Sequence, residues 1–310
     1  MLLKEFIKTN TQLYQLNGRD MKNLLVLTDF SKSAAHAARY AYSLARQLRA
    51  GVTLCNVVVV PAEVPQSGLL VWPLEESDVL LRESEQALEK LKTQLQKSDE
   101  PDGVNPAIIV NSFTGVLQDL VENVSAENQI DYILMAAHGH AGLSGLMLGN
   151  HSRILIDDIG PPLFIIPPAA KITPIKKIYF AMDFIDPDQD LKFVRMLVVL
   201  AASLQAEIFI THVYKDSVNS QDAKSVQKLM LNISCENDYP LIHYKAIENV
   251  KEKQGLEWLM VHGDMDLLVM VHHPQGFFDR LIKGSLTQKL AEELTIPLLI
   301  FKKEPDSPPV

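Results

Sequence analysis

Glycines at positions 139, 142, 145 and 149, followed by Asn150, His151 and Ser152, are the residues whose types and spacing could do chemistry. Glycine lets a backbone come close to an anion and take up φ > 0, and free N–H groups at the start of a helix attract negative charge. The apolar run Tyr132 to Ala137 feeds these glycines with strand length and strand-like content, and a helical pattern resumes at about Asn150. A strand, a glycine-spaced loop and a helix N-terminus in that order form a phosphate-binding design. His138, His140 and His151 could add donors or positive charge beside it.

Other chemistries find less support. His212, His243, His262, His272 and His273, with Cys235, show no paired ligand spacing such as HxxxH or CxxC, so no metal site is expected. His212 reads as a core histidine inside a strand. No serine stands on a G-x-S-x-G elbow, and GxxxxGK[ST] is absent. Asp29 and His138 could approach each other at strand ends, but phosphoryl transfer would also need an acid holding a metal. The expectation is a protein that is not an enzyme, with slow phosphate hydrolysis as its upper limit.

The elements that must position the glycine loop alternate regularly. Leu24–Thr28 is a continuous apolar run of strand length, closed by Asp29, Phe30 and Ser31, with Ser31 a good N-cap. A helix is predicted over Lys32–Arg49, with Ala34, Ala37, Ala38, Ala41, Leu44, Ala45 and Leu48 inward and Gly51 as its stop. Val52–Val60 predicts a second strand, Glu75–Lys97 a helix with Val79, Leu80, Leu88, Leu91 and Leu95 inward, and Ala107–Ser112 a third strand. A helix over Gly115–Asn128, the strand at Tyr132, a helix over Asn150–Ile159 and a strand over Pro162–Pro167 complete the series. Strands apolar throughout, alternating with helices, imply a parallel sheet covered on both faces.

The series then begins again. IYFAMDF (Ile178–Phe184) echoes LLVLTDF, with Asp183 standing where Asp29 stood. An alanine-containing helix follows, Ala206–Tyr214 mirrors the second strand, Asp266–Met270 mirrors Asp131–Met135, and Ile296–Phe301 mirrors the last. Matches in the same order at a nearly constant offset indicate an internal duplication. The expected organisation is an extension over 1–21, a first domain over 22–170, a second over 171–304 and a tail over 305–310.

Composition narrows the setting. Hydrophobic residues at 47% and charged residues at 22% describe a soluble globular chain, and 310 residues suit two domains. A net charge of −9 argues against nucleic acid or an anionic membrane surface as partner. Cys55 and Cys235 form no disulfide framework, and no apolar run reaches the roughly 18 residues of a membrane span, so the cytoplasm is the expected location.

LLVLTDFSKSAAHAARYA, MAAHGHAGLSGLMLGNHS and PPLFIIP together resemble the universal stress protein family, here as a tandem pair. The resemblance implies two similar open α/β domains with five-stranded parallel sheets and helices on both faces, a Rossmann-like fold. It also implies adenine nucleotide binding, ATP with Mg²⁺ accompanying it, and a role as a stress-response sensor or regulator. The family's nucleotide signature spaces three glycines by two and then nine residues and ends in Ser or Thr. Gly139 and Gly149 match its second and third glycines, Ala136 replaces the first, and Asn150 replaces the Ser or Thr. His151 and Ser152 follow on the phosphate side. At the strand ends the resemblance implies Thr28 and Asp29 on the base and ribose side, Val57 against the adenine, and Met135 beside Ala136. In the second copy Val271 and Pro274 stand in place of the first two glycines and only Gly284-Ser285 survive, so that site is expected to be degenerate. Phe277 and Phe278 suggest that its loop packs on an apolar surface. The fused pair can mimic a family dimer within one chain, and a homodimer of tandem chains is an alternative. A nucleotide-free interaction scaffold and a slow ATPase are the competing functions.

Overall fold

A computed structural model of the chain describes residues 23–58, 74–99, 103, 105–137, 160–182, 187–213, 239–247, 264–272 and 295–302. These fall into two compact units, one holding 23–136 with 160–163 and the other holding 137 with 164–302.

In the first unit β1 (Asn23–Leu27) is buried from Leu24 onward, as a strand covered on both faces must be. The helix α1 (Lys32–Leu48) starts at Ser31, whose Oγ accepts the Ala34 N–H at 3.1 Å. Its alanines at 34, 37, 38, 41 and 45 are all buried, and side chains this small let the helix lie close to β1. α1 stops at Arg49 rather than at Gly51. Arg49 takes a left-handed φ of 54°, and the Ala50 N–H returns to the Ala45 carbonyl at 2.9 Å. Gly51 instead opens β2 (Gly51–Val58), where an added Cβ would come within 2.8 Å of Asn23 Oδ1. Close approach of neighbouring strands, not a turn, calls for that glycine.

Along α2 (Leu74–Gln96) the buried positions are Ser84, Leu88, Leu91 and Leu95. Val79, expected inward, is 51% exposed, because it lies one position ahead of the stripe that continues from Leu80 at spacings of four and three. β3 (Ile108–Thr114), α3 (Leu117–Asn128) and β4 (Tyr132–Ala136) follow, and the strand order is β3-β2-β1-β4, all parallel. The Ile133 N–H on β4 donates to the Pro162 carbonyl at 3.0 Å, and β5 (Leu163–Ile166) begins one residue later.

The second unit repeats the plan with β6 (Lys177–Ala181), α4 (Pro187–Leu204), β7 (Glu207–Val213), β8 (Ile242–Ile247), β9 (Leu267–His272) and β10 (Leu298–Lys302). Its order is β10-β9-β6-β7-β8, again parallel. β8 is an element that the sequence reading missed: its run IHYKAI interleaves His243 and Lys245 with apolar residues and lacks a continuous core signature. The core here is aromatic, Phe301 packing on Phe193 at 5.6 Å and on Phe180 at 6.3 Å between ring centroids.

The duplication extends to single hydrogen bonds. Gln205 ends α4 with φ 54°, as Arg49 ends α1, and the Ala206 N–H returns to Ala201 at 3.0 Å. The aspartate that opens the fourth strand of each repeat is a clamp. Asp131 Oδ2 accepts the Asn23 N–H at 2.9 Å, and Asp266 Oδ2 accepts the Lys176 and Lys177 N–H groups at 2.8 and 2.9 Å. These two acids hold the N-terminal ends of neighbouring strands together, at the edge opposite the C-terminal strand ends.

Candidate functional site

The C-terminal ends of β1, β2 and β4 bring part of the expected site together. Leu27 is in register with Cys55 and Val26 with Leu134, so Thr28, Asn56 and Ala136 stand in one row across three strands. The Thr28 N–H donates to the Cys55 carbonyl at 2.9 Å, extending the ladder one residue beyond β1. Thr28 is buried, and its Oγ1 accepts the Phe30 N–H at 3.1 Å. Asp29 is exposed, with Oδ1 accepting the Ser31 N–H at 3.0 Å. Between them Phe30 is held at φ 61°, a left-handed backbone that costs a non-glycine residue about 1–2 kcal/mol. The two side-chain bonds and the Ser31 cap keep the turn in that shape.

Ala136 settles a question raised by its replacement of a signature glycine. It ends β4 with an ordinary strand backbone, since the positive-φ non-glycine residues among those described are Phe30, Arg49, Gln129 and Gln205. Its methyl is buried at 2% exposure, and Met135 is buried at 4%, so both offer this edge their main chain. Val57 is half-buried and faces the side of the sheet opposite Asn56. The edge therefore presents an exposed carboxylate, a half-covered apolar side chain and strand-end backbone, which suits a ligand with hydrogen-bond donors beside a flat apolar body. Gly139, Gly149, Asn150, His151 and Ser152, the phosphate half of the expected site, lie outside the described residues, as do Asp183, Pro274, Phe277, Phe278 and Gly284.

Sequence reasoning missed three polar residues here. Asn56 Nδ2 donates to the Thr28 carbonyl at 2.7 Å, Ser84 Oγ donates to Asn56 Oδ1 at 2.8 Å, and Ser112 Oγ donates to Ser84 Oγ at 2.6 Å. The available signals were an asparagine inside the run VTLCNVVVV and a serine on the apolar stripe of α2. Cys55, next to Asn56, is fully buried, and burial pushes its thiol up to about 12.

The corresponding edge of the second unit is built differently. The Met182 N–H donates to the Thr211 carbonyl at 3.0 Å, so Met182 and Thr211 answer to Thr28 and Cys55. Val271, at the position of Ala136, carries no positive φ. It lies within β9, which ends at the buried His272. His212 lies within β7, and His243 on β8 stands 3.2 Å from Glu207 and stacks on Phe209. Among the described residues no three His, Cys, Asp or Glu side chains converge as a metal site, and no helix is long and apolar enough to cross a membrane.

Two repeats of an open parallel α/β unit define a doubled Rossmann-like fold. The chain belongs to the universal stress protein family, whose model matches residues 21–167 and again 174–302. It is 25% identical over 314 residues to the universal stress protein Slr1230 of Synechocystis, a match covering 91% of this chain and all of that one. Two solved structures share the fold. A universal stress protein from Archaeoglobus fulgidus has a TM-score of 0.66 at 14% identity, covering 92% of this chain and 99% of its own. A putative universal stress protein from Pseudomonas aeruginosa has a TM-score of 0.54 at 13% identity, covering 91% and 94%.

Proposed function

We propose that the first unit binds an adenine nucleotide, ATP or a close relative with its Mg²⁺, and that the protein acts as a cytoplasmic stress-response sensor or regulator. The observation that carries this reading is the ordinary strand backbone at Ala136, so the lost glycine costs the edge no geometry. Asp29 would accept hydrogen bonds from the ribose or base, Val57 would cover the adenine, and the glycine-spaced segment ending in Asn150, His151 and Ser152 would receive the phosphates. The reading assigns binding rather than rapid turnover.

For the second unit we propose a nucleotide-free role in contacts with other proteins, because Val271 and Pro274 replace the first two glycines of the signature there.

Asp29→Asn tests the main proposal, since it keeps the Oδ1 acceptor for Ser31 and removes the charge. Calorimetric titration of ATP into the full chain is expected to show about fivefold or weaker affinity for this variant than for the wild type. Equal affinity would remove Asp29 from the site, and no detectable wild-type binding at about millimolar ATP would remove the nucleotide reading altogether.

A further inference from the structure

The hydrogen-bond chain beneath the strand ends joins four elements. It runs from Ser112 on β3 to Ser84 on α2, to Asn56 on β2, and ends on the carbonyl of Thr28 just after β1. Every donor points the same way, so each bond polarises the next. Its last acceptor is the carbonyl of the peptide that leads into Asp29. The N–H on the other side of Thr28 is held by Cys55, and Asp29 Oδ1 is held by the Ser31 N–H. The orientation of the exposed carboxylate thus depends on a side chain on α2, 55 residues further along the chain by simple difference between positions 84 and 29.

The second unit supplies an internal comparison. Thr211 answers to Cys55, so His212 stands at the register position of Asn56. Cys55 pairs with Asn111 and Thr211 with Lys245, so Ala246 stands at the position of Ser112. Alanine has no hydroxyl to donate. The polar chain therefore accompanies the copy that keeps its glycine spacing and cannot form in the copy that has lost it.

We infer that Ser84 is a positioning residue for ligand binding in the first unit. It is 6% exposed, too buried to reach a ligand at the strand ends directly. Through Asn56 it fixes the Thr28–Asp29 peptide and so aims the Asp29 carboxylate. This inference rests on the nucleotide reading proposed above. Removing its hydroxyl leaves Asn56 Oδ1 and the Ser112 hydroxyl without their partner and frees the peptide to rotate.

The test is calorimetric titration of ATP with Mg²⁺ into the full chain, at a temperature well below the unfolding of every variant. Ser84→Ala is expected to weaken binding about fivefold or more, and Ser84→Thr, which keeps the hydroxyl, to stay within about twofold of wild type. Leu95→Ala, at the far end of the same helix, is expected to lower the melting temperature at least as much and leave affinity unchanged. Ser112→Ala removes only the outermost donor and serves if Ser84→Ala does not fold; its expected loss is about twofold to threefold. If both serine variants bind like wild type, or if Leu95→Ala weakens binding as much as Ser84→Ala, the inference is overturned while the nucleotide reading stands. If the wild-type chain binds no ATP, both fall together.

Discussion

Restoring the missing signature glycine should make the protein less stable without making it bind better. Ala136 is 2% exposed at the end of β4 and carries no positive φ. In Ala136→Gly one buried methyl is lost, worth ~0.8 kcal/mol, and glycine adds ~0.5–1 kcal/mol of backbone entropy to the unfolded chain. The total is about 1.5 kcal/mol, which for a unit of this size lowers Tm by about 3–6 °C. Amide hydrogen exchange at Leu24, Leu25 and Val26 reads the first unit separately from the second, since these strand amides lie in its core. Exchange by global opening should speed up about tenfold at these positions. Nucleotide affinity should stay within about twofold of wild type. A gain in affinity of about tenfold or more on introducing glycine would refute the reasoning, because it would mean that the methyl or the strand backbone at Ala136 obstructs the ligand.

Two further predictions concern the fold. Arg49→Gly and Gln205→Gly each relieve a left-handed φ of 54° at an exposed helix end, and each should stabilise its unit by about 0.5–1 kcal/mol in urea unfolding. A loss of stability in either would show that the original side chain does more than end the helix. In alkali, the Cys55 thiol is pushed from 9.0 up to about 12 by burial, and Tyr42 from 10.0 up to about 12 by burial and then by its bond to Asp99. Tyr132 is shifted upward as well, first by burial and then by the charge of Asp131. The folded state binds these protons more tightly than the unfolded chain. The stability they contribute is therefore complete below about pH 9 and declines as the pH rises towards 12. Cys55→Ala should make that decline shallower in denaturation midpoints taken at intervals above about pH 8, and an unchanged slope would assign it to the tyrosines alone.

The fold was readable because its strands are continuous apolar runs and its alanines recur at helical spacing, signals that depend on burial alone. The repeat was readable for the same reason, down to the aspartates that open the fourth strands. What escaped was set by contacts between distant segments. Nothing local marks Gly51 as a residue pressed by the Asn23 side chain rather than a helix stop. Arg49 and Gln205 adopt a glycine-like conformation because the Ala50 and Ala206 N–H groups find helix carbonyls there. Asn56, Ser84 and Ser112 lie on three different elements, and the row they form exists only once β2, β3 and α2 are assembled. At the strand ends Asp29, Val57 and Ala136 were grouped by the family resemblance alone, with no local signal to join them. That Ala136 keeps an ordinary φ could not be read from its identity, since alanine is compatible with either expectation.

The stoichiometry of ATP binding to the full chain tests the central claim most directly. Titration calorimetry should find one nucleotide per chain, with binding abolished by Gly149→Val and unchanged by Gly284→Val. Two nucleotides per chain, or binding that survives Gly149→Val, would contradict a site built by the first unit alone.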